Sequence, residues 1–231
     1  MPVAMIDHLG FRTRHERQMF PVGDDDSQRR TTPVVTFALI GLNVLFFLVE
    51  LSGGDRFIEQ WAFVPARFSQ DPVEGAVTIF TAMFMHGSWF HLFGNMLFLW
   101  IFGDNVEDQF GHINFLIFYL LAGIAATFAQ YFAAPGSTVP NVGASGAIAG
   151  VLGAYILMFP QSRVNVLVGR QIVAMPAFIV LGLWIALQLV SGVGTIGHAD
   201  VGGVAYMAHI GGFAAGLAMT FIFRGRSETR A

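Results

Sequence analysis

Apolar residues in this chain gather into long runs, broken by short polar segments and by clusters of glycine and proline. Runs of this length predict transmembrane helices. Six can be placed, over roughly residues 34–52, 89–107, 113–134, 145–159, 173–193 and 204–223. Residues 1–33 are polar, and the first apolar run begins only after Pro33. No cleavable signal peptide is apparent, so residues 1–33 are expected to form a short, poorly ordered cytoplasmic tail. Residues 34–224 then make one helical unit, followed by a second cytoplasmic tail over 225–231. The predicted fold class is an all-α membrane protein of six transmembrane helices.

Composition agrees with that pattern. The 231 residues are 55% hydrophobic and 12% charged, with a mean hydropathy of +0.62. A soluble domain carries about twice that share of charge. There is no cysteine, which excludes disulfides, thiolate metal sites and a cysteine nucleophile together. The net charge of −3 and the lack of a basic cluster give no sign of a nucleic-acid partner. The expected surroundings are a lipid bilayer, and nothing in the sequence bears on oligomeric state.

Arginine placement predicts the orientation. All twelve basic residues are arginine. With the N-terminus inside, ten of them face the cytoplasm: five in the first tail, Arg163 and Arg170 after the fourth span, and Arg224, Arg226 and Arg230 at the end. Only Arg56 and Arg67 face outward. This is the asymmetry of the positive-inside rule, so both termini are expected in the cytoplasm.

The spans are not alike. The first loop, residues 53–88, mixes Phe57, Ile58, Trp61, Phe63, Phe68, Ile79, Phe80 and Phe84 with a few charges, and is expected in the outer membrane interface. The fourth span is short. Ser145 to Phe159 covers about 22 Å at the helical rise, against roughly 30 Å of hydrocarbon. Pro160 limits its inward extension, and Pro135 to Asn141 cannot be helical throughout. Ser145 therefore starts its helix below the outer surface, where irregular backbone needs cover by protein or a water-filled cavity. Gly143, Gly146, Gly150 and Gly153 in this stretch, and Gly212 and Gly216 in the last span, allow close helix packing.

Two polar residues sit in these small-residue settings. Ser145 lies in Gly143-Ala144-Ser145-Gly146 and His209 in Ala208-His209-Ile210-Gly211-Gly212. A histidine inside a membrane is costly without a partner or a wet cavity. A serine beside an imidazole makes an activated oxygen nucleophile. Taken singly, a helix-capping serine and a satisfied structural histidine are the plain alternatives. His91 and Asn95 share a helix face and both donate hydrogen bonds. With the Ser145 N–H they form a candidate oxyanion hole. His86 and His91 are five apart and lack a carboxylate ligand, which argues against a metal; no cofactor is expected. Without a buried Asp, the arrangement reads as a Ser–His dyad.

Four motifs in order carry a resemblance. They are His86, His91 and Asn95 in the second span; Gly103, Glu107 and Gly111 at its end; Gly143-Ala144-Ser145-Gly146; and Ala208-His209-x-Gly211-Gly212 followed by Gly216. Over about residues 34–224 the sequence resembles the rhomboid intramembrane serine proteases of the basic six-span type. That resemblance implies a bundle with a short central fourth helix and an interfacial first loop. It implies Ser145 as nucleophile and His209 as general base, with the Ser145 N–H, His91 and Asn95 stabilising the oxyanion. By the same likeness His86 braces the first loop and lines a wet cavity, and Glu107, Gly143, Gly146, Gly212 and Gly216 are structural. Glu107 would tie the second span to the inner loop. Residues 173–193 and 194–203 correspond to a mobile gate and cap. The implied partners are transmembrane protein substrates, cut near the outer face, and the implied location is a bacterial plasma membrane.

The sequence departs from the family pattern at three places. Val77-Thr78 stands where a Trp-Arg pair often occurs, Ala149 where some members stack a Tyr on the histidine, and Gly94 where a bulky residue precedes the asparagine. Ala149 leaves His209 to be positioned by another side chain. Two further classes stand as alternatives. A non-catalytic rhomboid-like protein would bind client helices, but such proteins lose the serine or histidine. A channel or transporter would show paired intramembrane charges. Asn43, Gln130 and Gln188 are the polar residues inside spans, and are expected to bond between helices.

Overall fold

The computed structural model describes residues 19–25, 29–193 and 204–224. The expectations for residues 1–18, for the cap at 194–203 and for the tail at 225–231 lie outside the described residues. The chain runs β1 (Met19–Asp24), α1 (Val34–Trp61), α2 (Pro65–Gln70), α3 (Pro72–Thr81), a single 3-10 turn (Ala82–Phe84), α4 (Trp89–Phe110), α5 (His112–Ala133), α6 (Ser145–Met158), β2 (Arg163–Val168), β3 (Gln171–Pro176), α7 (Ala177–Val193) and α8 (Tyr206–Phe223). By length and composition α1, α5 and α8 are apolar enough to cross a membrane; α6 and α7 are shorter apolar helices.

At the centre is α6. Ten successive residues, Gly146 to Tyr155, are buried, as expected of a helix enclosed on every side. It packs against α8, α5 and α4. Its fourteen residues give a length of about 21 Å.

Glu107 joins three helices. It is fully buried and accepts from the Val35 N–H at 2.9 Å, the Thr36 N–H at 2.7 Å and the Thr36 hydroxyl at 2.7 Å. The first N–H groups of a helix have no partner within it and favour negative charge. A carboxylate from α4 therefore caps α1. The His112 ring at the start of α5 lies 2.6 Å from Oε1 of the same carboxylate, the oxygen that also accepts the Val35 N–H. Glu107 thus ties α4 to the first turns of α1 and α5. Gly111 alone separates α4 from α5, with a φ of 77° that glycine adopts without steric cost.

The first loop is more ordered than an interfacial segment requires. Helix α1 continues nine residues past the predicted end at 52, kinking at Gly54 (φ 61°). Asp71 caps α3 through the N–H groups of Val73 and Glu74, both at 3.0 Å. Phe63, Ile79 and Ala82 are buried against Phe68, Ile124, Phe128 and Tyr131, so the loop packs onto one end of α5. Arg67 donates to the carbonyls of Glu59 and Ala62. Thr78, at a departure from the family pattern, is buried and bonds to its own helix at Gly75.

The expected all-α architecture is incomplete: the described residues include a three-stranded antiparallel sheet in the order β1-β2-β3. Residues 163–168 and 171–176 form a hairpin, and residues 19–24, expected in a disordered tail, pair with its first strand. The fifth apolar run therefore opens as a strand, and its helix begins at Ala177 rather than at 173. Val164 and Val166 are fully buried, two apart as in a strand. Gly169, with φ 66°, turns the hairpin. The Asp24 carboxylate accepts from Asn105 at 2.7 Å and from the Tyr155 hydroxyl at 2.6 Å, and Arg29 pairs with Asp104 at 2.6 Å. The two Asp24 bonds fasten β1 to α4 and α6.

Candidate active site

Ser145 is the first residue of α6, so its N–H lies outside the helical ladder and at the positive end of the helix dipole. Gly143 two residues earlier has φ 133°, and its N–H is bonded to the Ala82 carbonyl at 2.8 Å. A Cβ at Gly143 would stand 2.8 Å and 2.9 Å from Cε1 and Nε2 of His91 and 3.5 Å from the Ser145 hydroxyl. The absent side chain is what lets the His91 ring lie beside the serine.

His209 enters from α8. Its Nε2 lies 2.8 Å from Oγ of Ser145. The approach depends on glycine: a Cβ on Gly212 would collide with the Gly146 carbonyl, and one on Gly216 with the Gly150 carbonyl. Gly146 and Gly150 in turn meet Ala126 and Ala122 of α5, each at 2.5 Å from a built Cβ. Small residues on three helices thus bring Ser145 and His209 together.

Opposite them stands a chain of polar groups from α1 and α4. Glu50 of α1 is buried and accepts from the His86 N–H at 2.9 Å. His86 is fully buried, and its Nε2 lies 2.9 Å from Nδ2 of Asn95. An amide nitrogen only donates, so Nε2 is the acceptor. That leaves Asn95 a second N–H for the cavity. His86 also packs edge-on against His91, with ring centroids 5.0 Å apart. His91 is held at the first turn of α4 by the Ser88 cap, whose hydroxyl accepts its N–H at 3.1 Å.

These groups meet at a cavity of about 430 Å³ lined by Gly87, His91, Asn95, Pro140, Asn141, Val142, Ser145, Val204, Ala205 and His209. His91, Asn95, Ser145 and His209 share this lining, whereas His86, expected to line it, contacts Asn95 from behind. Beside Gly94 there is open space.

Three participants were not assigned from the sequence. Gln188 of α7 lies 2.8 Å, through Oε1, from Nδ1 of His209. Trp184, one turn earlier, holds its ring 5.8 Å from the imidazole. Glu50 fell near the end of a predicted span. Of the intramembrane amides, Gln130 bonds between helices, accepting the Ala208 N–H at 3.3 Å, as Gln188 does. Asn43 donates to Leu39 of its own helix at 2.7 Å, and its side chain also meets the buried Tyr119 hydroxyl of α5.

The fold and the site define an apolar helical bundle with a serine, an imidazole and an amide facing one internal cavity. The Rhomboid domain family matches residues 74–226, which contain all of these cavity residues. The chain belongs to the rhomboid family of integral membrane proteins. It is 33% identical over 228 residues to the rhomboid protease GluP of Bacillus subtilis, covering 92% of this chain and 42% of that protein. It is 31% identical over 184 residues to the mitochondrial rhomboid protein 1 of Saccharomyces cerevisiae, covering 77% of this chain and 50% of that one. Human presenilin-associated rhomboid-like protein, mitochondrial, is 32% identical over 147 residues, covering 62% of this chain and 36% of that protein. The chain spans half or less of the length of these relatives.

Proposed function

We propose that this protein is an intramembrane serine endopeptidase that cuts transmembrane segments near the outer membrane face with Ser145 and His209. The observation that carries the reading is the 2.8 Å contact between Oγ and Nε2 at a cavity that His91 and Asn95 also line. In this mechanism Nε2 takes the hydroxyl proton as Oγ bonds to the scissile carbonyl carbon. The carbonyl oxygen becomes an oxyanion, received by the Ser145 N–H, His91 and the free N–H of Asn95. The imidazolium then protonates the leaving amine. A water from the cavity, deprotonated by the same nitrogen, releases the acyl group from the serine.

Six spans with both termini inside belong to the same reading, supported by the arginine asymmetry. So does a bacterial plasma membrane, supported by the extent of the match to the Bacillus relative. Peptide bonds in an intact helix are shielded by their own hydrogen bonds, so a substrate must unwind to reach Ser145. The test is a tagged transmembrane reporter in liposomes carrying helix-destabilising residues near its outer end. Cleavage that stops when the segment is stiffened with leucines supports the protease. A reporter that is bound and never cut favours a client-binding rhomboid-like protein.

Asn95→Ala probes the oxyanion assignment separately. Removing one such donor costs about a hundredfold to a thousandfold in kcat. The expected loss is in kcat, with KM little changed, measured on the same reporter. An unchanged kcat would remove Asn95 from the oxyanion hole.

A further inference from the structure

A serine and a histidine in contact do not decide which imidazole nitrogen carries the proton. The neutral ring has one donor and one acceptor nitrogen, and the base works only if the nitrogen facing the hydroxyl is the acceptor. Some third group must keep the proton on the far nitrogen. In a membrane a carboxylate is an expensive choice for that task.

Here the far nitrogen, Nδ1, faces Oε1 of Gln188 at 2.8 Å. A carbonyl oxygen only accepts, so Nδ1–H donates and the Nε2 lone pair is left for Ser145. Trp184 lies against the same ring with its plane tilted by 36°. One edge of the imidazole is held by the amide and one face by the indole. Both side chains come from α7, the helix whose buried residues are Ala177, Leu181 and Gly192 and which packs chiefly on α8. Leu183, Leu187, Leu189 and Val190 of that helix are exposed, as suits a lipid-facing surface. A polar amide on such a helix costs free energy unless it finds a partner. The partner it has found is His209.

We propose that Gln188 is the positioning residue of His209, its amide oxygen fixing the Nδ1–H tautomer that makes Nε2 the base for Ser145. The inference rests on the reading of Ser145 and His209 as the reacting pair. When Oγ bonds to an electrophile its proton moves to Nε2. The positive charge on the ring is then met by the Gln188 carbonyl dipole, and no proton passes to the amide. This does the orienting work of a third triad member with a neutral group. Because Gln188 rides on α7, the base is set only while α7 is seated on α8. The other titratable group facing His209 is His91 from α4, across the cavity; among the described residues no carboxylate of α5, α6, α7 or α8 is hydrogen-bonded to it.

The experiment measures the rate of covalent labelling by a fluorophosphonate probe as a function of pH, on the full chain in detergent, for the wild type, Gln188→Leu and Gln188→Glu. The expected result for Gln188→Leu is a rate constant lower by about tenfold to a hundredfold, with the thermal midpoint little changed. A carboxylate at the same place favours the imidazolium, so Gln188→Glu is expected to move the acidic limb of the pH–rate profile upward by about one unit or more. A side chain that only fills space would not move that limb. Should Gln188→Leu fail to fold, the profile of Gln188→Glu decides. Wild-type rates and an unmoved limb would overturn the positioning role. A folded wild type that takes no label would instead overturn the assignment of the reacting pair.

Discussion

Alanine in place of Ser145 is expected to abolish covalent labelling by a fluorophosphonate and all cleavage of a transmembrane reporter. In the proposed mechanism the Ser145 hydroxyl forms the bond, and among the described residues no other hydroxyl is hydrogen-bonded to His209. His209→Ala is expected to reduce both by at least about ten-thousand-fold, because the alcohol then has no base; in a soluble serine protease either loss costs on the order of a million-fold in kcat. The two losses should not add, since the groups act as a unit. The double variant is therefore expected to be no worse than Ser145→Ala. His209 is 9% exposed, so thermal unfolding in the same detergent must accompany each rate to separate lost chemistry from lost structure. Labelling that survives Ser145→Ala in a folded protein would mean that another residue is the nucleophile.

What made this pair legible was cost. A histidine within an apolar helix stands out because lipid tolerates it only with a partner or a wet cavity, and the serine stands out beside it as the hydroxyl an imidazole can activate. The helices were legible for the same cause, since a long apolar run has few other uses. What supports the pair was not. Gln188 looked like one more intramembrane amide, and its partner depends on how α7 lies on α8, which no local pattern encodes. Ala149 pointed to another side chain beside the imidazole without saying which; Gln188 and Trp184 stand there. Glu50 was passed over because it sits near the end of a predicted span, four residues before the non-helical Gly54. The hairpin at 163–176 did leave a signal: alternating Val164, Val166 and Val168 before Gly169-Arg170 is the period of a strand ahead of a tight turn. The apolar run of the following helix obscured it. Strand β1 left less, since a short edge segment gains its stability from the strand it joins.

The second large effect is expected far from any reacting atom, at Gly212. An alanine there would place its Cβ against the carbonyl of Gly146, the residue after Ser145. That carbonyl is backbone, so no rotamer relieves the contact and α8 must move away from α6. Gly212 follows His209 by less than one helical turn, so that movement is transmitted directly to the 2.8 Å contact. A misplacement of about 1 Å between reacting groups can cost on the order of a hundredfold. The expected result is a labelling rate down by about a hundredfold or more. Stability is set by two opposing terms. Alanine is the better helix former by about 1 kcal/mol, whereas overpacking costs about 1–3 kcal/mol, so the unfolding midpoint is expected to fall modestly while the rate falls steeply. Gly216→Ala meets Gly150 in the same way but two turns from His209, and is expected to lose less activity for a similar loss of stability. Gly41→Ala in α1 is the control, because a Cβ there meets nothing within 4 Å; it should label normally and melt no lower than the wild type. Wild-type labelling by Gly212→Ala would show that the small-residue contact between α6 and α8 does not set the distance between Ser145 and His209.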